Sequence, residues 1–212
     1  MKKRAWERWW EPLDGSFLRD RKPALLKEWK YIALADLAER CGGTTLEIGC
    51  ASCIAYPHFK KRGLKYTGFD ITKHFLEHAK KLYPEIDIHH GTALDLPFED
   101  ASLDIVFCKD LLEHLQPDDV ETVVNEMWRV SKKQIMISFF IPPSNQEKIK
   151  LVKRAGSEFY QNQYSKSRIA KVIENLDGSK KLDILDKNHF SKSPIYIIEK
   201  RDDVLTIDIG DI

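Results

Sequence analysis

From residue 44 onward, the chain alternates short apolar segments of strand length with segments of helical periodicity. The five strand-like segments are residues 44–48, 65–69, 86–90, 103–108 and 134–140. Apolar side chains at helical spacing lie between them, in residues 75–82 and 120–130. Because parallel neighbouring strands need a helix-length connection, this alternation predicts a parallel sheet that is covered by helices on both faces.

The alternation ends after the fifth predicted strand, where Pro142 and Pro143 open a polar stretch. A helix is predicted in residues 146–154, and Ser165 is a suitable N-cap for another helix that ends near residue 176. Residues 182–185 and 195–199 are predicted to be two strands. The connection between them is too short for a crossover helix, which favours an antiparallel pair.

The first forty residues are predicted to be helical. Trp6, Trp9 and Trp10 lie on one face of a short helix, and a second helix follows Pro23 and ends at Cys41. The three tryptophans suit either the protein core or a lid over a substrate pocket. Because the segment is also basic, membrane-surface contact through this tryptophan cluster is a third alternative.

The composition is that of a globular chain of ordinary domain size. Its 212 residues are 42% hydrophobic and 32% charged, with a formal net charge of +1. This balance disfavours nucleic acid as a substrate. No apolar run approaches the roughly 20 residues that span a bilayer, and the N-terminus lacks the apolar core of a signal peptide. Four cysteines without an export signal predict free thiols and a cytoplasmic location.

Residues 46–53 read L-E-I-G-C-A-S-C and lie where the first predicted strand turns towards a helix. Such a turn presents backbone N–H groups to an anion, and a small residue lets the ligand approach the backbone. Asp70 closes the second predicted strand about 20 residues later, where a carboxylate can accept hydrogen bonds from ribose hydroxyls. The layout therefore predicts a nucleoside-binding site.

The same segment resembles motif I of the class I S-adenosylmethionine-dependent methyltransferases, in which an acidic residue precedes G-x-G-x-G. Glu47 matches the acidic residue and Gly49 the first glycine, while Ala51 and Cys53 occupy the positions of the second and third glycines. Five further segments resemble family motifs, in the same order along the chain. They are Y-T-G-F-D at 66–70, G-T-A-L-D-L-P-F at 91–98, F-E-D-A-S-L-D-I-V-F at 98–107, L-L-E-H-L at 111–115 and E-M-W-R-V at 126–130.

This resemblance implies a Rossmann-like α/β fold. Its sheet has seven strands in the order 3-2-1-4-5-7-6, with strand 7 antiparallel and helices on both faces. The resemblance also implies one methyltransferase domain over residues 1–212. Within it, residues 1–43 are an N-terminal helical cap, 44–140 are the cofactor-binding core, and 141–212 are a substrate-side insertion and a terminal strand pair.

The resemblance also implies S-adenosyl-L-methionine as the cofactor. Residues 47–53 are expected to hold its methionine part, Asp70 its ribose, and the residues from Thr92 to Leu94 the edge of its adenine. The cofactor-binding residues implied in this way are Glu47, Gly49, Cys50, Ala51, Cys53, Asp70, Ile71, Thr92, Ala93, Leu94, Asp95 and Lys109. No metal is implied.

His114 and Asp110 are the implied catalytic residues. Both follow the fourth strand, where the resemblance implies that Asp110 faces the reactive end of the cofactor and that His114 faces the substrate. A histidine can act as a general base near neutral pH. The alternative for His114 is a packing role on the helix surface. The implied reaction is methyl transfer to an O, N or C nucleophile.

A small molecule is the expected methyl acceptor, since C-K-D-L stands where amino-methylating DNA enzymes carry N/D-P-P-Y/F/W. Two alternatives stay open: methylation of a macromolecule such as tRNA or protein, and a methyltransferase-like protein that binds without catalysis. Cys50 and Cys53 also have the spacing of a redox dithiol, whereas the spacing of a zinc site is missing. The sequence does not indicate an oligomeric state.

Overall fold

In the computed structural model of the protein, residues 29–154, 157–185 and 194–201 are described. The helices are α1 (Trp29–Cys41), α2 (Tyr56–Lys61), α3 (Lys73–Leu82), α4 (Asp119–Val130) and α5 (Lys166–Glu174). The strands are β1 (Thr44–Ile48), β2 (Lys65–Asp70), β3 (Asp87–His90), β4 (Leu103–Lys109), β5 (Ser131–Ser138), β6 (Leu151–Arg154), β7 (Ser157–Tyr160), β8 (Lys180–Leu185) and β9 (Ile195–Lys200). The predicted helix with Trp6, Trp9 and Trp10 lies outside the described residues.

Seven strands form one sheet in the order β3-β2-β1-β4-β5-β9-β8. Strands β1 to β5 are parallel, and β9 is antiparallel to both of its neighbours, β5 and β8. Since β8 and β9 are the sixth and seventh predicted strands, the sheet confirms the predicted order 3-2-1-4-5-7-6. The antiparallel direction of the last strand is confirmed as well.

The central strands are buried on both faces of this sheet. In β4, Val106 and Cys108 pack in one apolar cluster with α4 and α5, whereas Ile105 and Phe107 pack in a second cluster with α1, α2 and α3. Successive residues of a strand point to opposite faces, which explains this division. The Rossmann-like arrangement with helices on both faces is therefore confirmed.

The helix predicted in residues 146–154 is wrong. Strands β6 and β7 instead form an antiparallel pair, the β6–β7 hairpin, in which Leu151 lies opposite Tyr160. Backbone hydrogen bonds between Lys148 and Gln163 and between Gln161 and Lys150 extend the pairing. The sequence K-I-K-L from residue 148 has the two-residue period of a strand. Here long-range pairing overrides the good helix propensity of Lys and Glu.

The parallel strands bring their carboxyl ends to one edge of the sheet. Ile48 of β1 is in register with Phe69 of β2 and with Cys108 of β4, so the loops that follow these strands are neighbours. The 3-10 turn Leu112–His114 follows β4 at this edge. None of the helices within the described ranges is long and apolar enough to cross a membrane.

Candidate cofactor and acceptor site

The loop after β1 has three residues in the left-handed backbone region. Gly49, Ala51 and Cys53 have φ angles of 72°, 47° and 55°. These are the three positions at which the motif calls for glycine, and a non-glycine residue there costs roughly 1–2 kcal/mol. The loop therefore adopts the turn that the motif predicts, although two of its glycines are replaced by other small residues.

Hydrogen bonds from the neighbouring strand hold this loop. The backbone N–H groups of Gly49 and Cys50 both donate to Phe69 O, at 2.8 and 3.2 Å. The N–H of Ala51 donates to Oδ2 of Asp70 at 2.8 Å, and Oδ1 of Asp70 accepts from the N–H of Thr72 at 2.7 Å. Asp70 thus joins the end of β2 to the loop and keeps further lone pairs on both oxygens for a ligand.

Asp70 is buried, and this burial raises the pKa of its carboxyl, while the N–H groups of Thr72 and Ala51 oppose the shift. Ile71 follows it, and Nε2 of His90 donates to Ile71 O at 2.8 Å, which ties the end of β3 to the same place. The residues from Thr92 to Asp95 form the next turn, in which Oγ1 of Thr92 accepts from the N–H of Leu94 at 3.4 Å. Ala93 and Leu94 are partly buried against the core.

Glu47 is buried in β1 beneath the loop, and the hydroxyl of Tyr66 donates to its Oε2. Burial raises the pKa of Glu47 to about 8, although Tyr66 and Lys109 act in the opposite direction. An ordinary glutamate is ionised at neutral pH, whereas this one is mostly protonated until a cation approaches. Lys109, Asp70 and Asp110 all interact with it electrostatically, which places these four predicted site residues in one cluster.

Cys50 and Cys53 have their thiols packed against the sheet, not towards the outside of the loop. A Cβ atom added to Gly68 of β2 would lie 2.8 Å from Sγ of Cys53 and 2.9 Å from Sγ of Cys50, so glycine is required there. Both thiols are buried and free. Burial raises the pKa of the Cys50 thiol well above its ordinary value, which argues against a reactive redox dithiol.

Lys109, the last residue of β4, forms an ion pair with the next residue, Asp110, which also pairs with Lys30 of α1. Nζ of Lys109 lies 2.5 Å from Oδ2 of Asp110, and Nζ of Lys30 lies 3.4 Å from Oδ1. Lys30 also donates to Phe139 O at 2.8 Å. Asp110 has a left-handed φ of 56°, and its N–H donates to Ser138 O. Sequence reasoning missed Lys30, although a lysine on the apolar stripe of a helix is a signal that could have found it.

His114 lies in the 3-10 turn, where its Nδ1 is 2.9 Å from Tyr160 O of the β6–β7 hairpin. A carbonyl oxygen only accepts hydrogen bonds, so Nδ1 carries the proton and Nε2 carries the lone pair of a base. Burial lowers the pKa of His114, while the bond to Tyr160 and the charge of Asp110 raise it. The ring is therefore neutral at pH 7, as a general base must be.

Glu113 is buried beside His114 and binds the chain after β5. Its Oε1 accepts from the N–H groups of Phe140 and Ile141, while burial raises its pKa to about 7. Phe140 itself is 63% exposed next to this contact. On the other side, the ring centroid of Phe159 lies 6.3 Å from that of His114, so an aromatic side chain of the hairpin lies beside the predicted base.

The family model of the methyltransferase domain matches residues 46–138, a range that includes the loop after β1, Asp70, Asp110 and His114. Residues 46–138 form a class I S-adenosylmethionine-dependent methyltransferase domain. In this domain, the acidic residue of motif I is Glu47, and the three left-handed positions of the loop are the glycine positions of the motif.

Curated methyltransferases from several bacteria are similar to this domain. A probable S-adenosylmethionine-dependent methyltransferase from Mycolicibacterium smegmatis is 35% identical over 95 residues, which are 44% of this chain and 36% of that protein. A ubiquinone biosynthesis O-methyltransferase from Alkalilimnicola ehrlichii is 30% identical over 125 residues, 56% of this chain and 49% of that protein. The matches therefore span about a third to a half of the relatives' length.

Solved methyltransferase structures share the fold over most of the chain. An S-adenosylmethionine-bound amino pentose methyltransferase from Micromonospora echinaspora superposes with a TM-score of 0.65 at 14% identity, covering 88% of this chain and 96% of that chain. For the S-adenosylmethionine-bound magnesium protoporphyrin IX methyltransferase from Synechocystis PCC 6803, the TM-score is 0.61 at 15% identity, with 85% and 80% covered. The likeness extends beyond β5, and it is one of fold.

Proposed function

We propose that this protein transfers a methyl group from S-adenosylmethionine to an O, N or C nucleophile of a small molecule. One observation carries the proposal. The three left-handed residues Gly49, Ala51 and Cys53 shape the loop after β1, and the Asp70 carboxylate at the end of β2 is hydrogen-bonded to that loop. A turn of small residues lets a ligand approach the backbone, and the adjacent carboxylate can accept hydrogen bonds from ribose hydroxyls, so the pair suits a nucleoside.

The residues at the edge of the sheet fit this cofactor. The cofactor carries cationic ammonium and sulfonium groups, and a nearby cation would lower the raised pKa of the buried Glu47, so that its carboxyl releases its proton to solvent and pairs with the cation as a carboxylate. Asp70 has acceptor capacity for ribose hydroxyls, and Ile71 with the turn 92–95 offers a partly apolar edge for adenine. In this assignment Cys50 and Cys53 act through their backbone, because both thiols are packed on Gly68.

When bound, S-adenosylmethionine supplies a methyl group that its sulfonium has already activated. The chain then has to orient the acceptor, exclude water and hold its proton. We assign the last task to Nε2 of His114, since its Nδ1 is bonded to Tyr160 and its ring is neutral. Asp110 forms ion pairs with Lys30 and Lys109, and we assign it the role of holding the turn after β4 in place.

Two lines of support favour a small acceptor. Similar curated proteins include a ubiquinone biosynthesis O-methyltransferase and a demethylmenaquinone methyltransferase from Oceanobacillus iheyensis, whose names specify small molecules. The chain's net charge of +1 gives it no general attraction for polyanions. In this proposal residues 44–140 bind the cofactor, and the segments on either side, 1–43 and 141–212, complete the acceptor side.

Two measurements test the proposal. Titration calorimetry with S-adenosylmethionine should show binding by the wild-type protein, and no binding would refute the proposed function. A radiolabelled methyl assay on a cell lysate, separated into small-molecule and polymer fractions, then identifies the acceptor class. Label in the small-molecule fraction is the expected result, whereas label in protein or RNA would identify a macromolecular acceptor.

A further inference from the structure

The turn that carries His114 is tied to one segment beyond the matched domain. Each residue from Leu112 to Leu115 makes one hydrogen bond to residues 160–164. The four bonds are Tyr164 Oη to Leu112 O (3.0 Å), Asn162 N to Glu113 O (2.9 Å), His114 Nδ1 to Tyr160 O (2.9 Å) and Asn162 Nδ2 to Leu115 O (3.0 Å). Internal hydrogen bonds of a 3-10 turn have poorer geometry than those of an α-helix. These four bonds therefore add a second anchor to the one that Glu113 makes with the chain after β5.

Asn162 is the centre of this arrangement. It is fully buried, at 0% exposure, and both ends of its side-chain amide are used. Besides Leu115 O, its Nδ2 donates to Oη of Tyr164 at 2.9 Å, and its Oδ1 accepts from the N–H of Lys150 at 3.1 Å. The side chain of Asn162 therefore joins three segments: the turn 112–115, Lys150 just before β6, and Tyr164 just before α5.

The same arrangement fixes the carbonyl that faces His114. Tyr160 is paired with Leu151 in the hairpin, and the next residue, Gln161, donates its N–H to Lys150 O at 2.8 Å. The Tyr160 carbonyl is thus part of a paired backbone and cannot turn away without breaking that pairing. Free histidine in water favours the tautomer with the proton on Nε2, whereas this carbonyl requires the proton on Nδ1.

We propose that Asn162 and Tyr164 are positioning residues, which hold the turn 112–115 so that the His114 ring keeps its Nδ1–H tautomer and presents Nε2 as the proton acceptor. This inference rests on the proposed function, in which His114 takes the proton of the methyl acceptor. It adds that residues 160–164, on the acceptor side, set the tautomer of the His114 ring, although His114 itself lies among the residues of the cofactor-binding domain.

Two variants of different severity test the positioning role. Tyr164→Phe removes only the hydroxyl, so the ring keeps its packing while Leu112 O loses its partner. Asn162→Leu has a similar size and removes every side-chain hydrogen bond of that residue. Gln163→Met is the matched control, because Gln163 lies between them and its side chain donates to Pro142 O, not to the turn. Thermal unfolding establishes that each variant is folded.

The decisive readout is the nitrogen NMR spectrum of the His114 ring, recorded as a function of pH. The wild type and Gln163→Met should show the Nδ1–H tautomer and a titration below the ordinary range of histidine. Tyr164→Phe and Asn162→Leu should shift both towards the values of free histidine. If folded Tyr164→Phe and Asn162→Leu both keep the wild-type tautomer and titration, the positioning role is refuted. If Asn162→Leu does not fold, Tyr164→Phe alone decides.

The lysate methyl assay supplies the second readout. For Tyr164→Phe, kcat should fall about tenfold with little change in the KM for S-adenosylmethionine, since only part of the general-base contribution is lost. Gln163→Met should have wild-type rates. Wild-type protein that neither binds the cofactor nor transfers methyl groups would refute the proposed function. An unchanged ring tautomer in the variants would refute the positioning role, so the two failures are distinguishable.

Discussion

The carboxylate of Asp70 accepts a hydrogen bond of 2.8 Å from the backbone N–H of Ala51, a residue whose φ angle is 47°. A side chain at the end of β2 thereby stabilises a strained turn after β1. The predicted ribose acceptor and the predicted loop for the methionine part are therefore one structural unit. Changes in either residue should affect both cofactor binding and the stability of the loop.

Asp70→Ala should weaken the binding of S-adenosylmethionine about tenfold or more. The ribose hydroxyls lose a charged acceptor, an effect of roughly 1.5–3 kcal/mol, and the loop loses its bond from Ala51. Calorimetry measures the affinity. Asp87→Ala is a suitable control, because Asp87 is exposed on β3 and pairs with Thr67 and His89. Equal affinities in the wild type and Asp70→Ala would contradict the ribose assignment.

Ala51→Gly should stabilise the protein by roughly 0.5–1 kcal/mol, because glycine adopts a left-handed φ without the steric cost of a Cβ atom. Ala55→Gly should have the opposite sign. Ala55 is buried with φ −68° and ψ −31°, so glycine there only adds backbone entropy to the unfolded chain and removes a buried methyl group. Urea unfolding of both variants measures the difference. A loss of stability in Ala51→Gly would show that the loop is not strained.

Glu47 should make the free energy of unfolding fall as the pH rises from about 4.5 to about 8. Its pKa is raised from 4.5 to about 8 in the folded protein, so in this window the unfolded chain has already lost the proton that the native state retains. The slope from one such group is at most about 1.4 kcal/mol per pH unit. Glu47→Gln should have a shallower slope than the wild type in urea unfolding between pH 5 and 8.

That comparison isolates Glu47, because Glu113, with a pKa raised to about 7, acts in the same direction and is present in both proteins. Parallel slopes in the wild type and Glu47→Gln would mean that Glu47 is already ionised in the free protein. In that event its carboxylate would have to be balanced by Lys109.

Lys30→Met should destabilise the protein by about 1–3 kcal/mol, because Phe139 O loses its buried donor and Asp110 retains only Lys109. Methionine keeps most of the apolar stem. Lys132→Met, at an exposed position of β5, should change stability by less than about 0.5 kcal/mol. Chemical unfolding compares the two. If Lys30→Met is as mild as the control, α1 does not help to hold the turn after β4.

The strands and their alternation with helices could be predicted because each strand is a short apolar segment, whereas the order of the strands in the sheet is implied by the resemblance to the methyltransferase family. The bounds of α2 could not be predicted, since its six residues are too few to show a helical period. Residues 146–154 are predicted to be helical because Lys and Glu favour helices locally, whereas β6 within them is a strand because it pairs with β7.

The site shows the same division between local and long-range information. Glu47, Gly49 and Asp70 are identified by local patterns at strand ends. Asn162 gives no local signal, since an asparagine in a polar loop is ordinary, and its contacts reach Leu115, 47 residues away in the chain. Residues that act through such bonds become visible only when the fold is known.

His114→Ala should lower methyl transfer by about two to four orders of magnitude, the usual contribution of a general base. The affinity for S-adenosylmethionine should barely change, because its predicted contacts come from the loops after β1, β2 and β3.

The wild-type rate should rise with pH as the His114 ring loses its proton, which happens below the ordinary histidine pKa of 6.5 because burial lowers the pKa of this ring. Above pH 6.5 the rate should stay level, since the ring is then neutral. His89→Ala, at an exposed residue paired with Asp87, serves as the control. The radiolabelled methyl assay measures the rates, and calorimetry measures cofactor binding. If His114→Ala keeps most of the wild-type rate, His114 has only a packing role, and the acceptor either is already nucleophilic or loses its proton to another group.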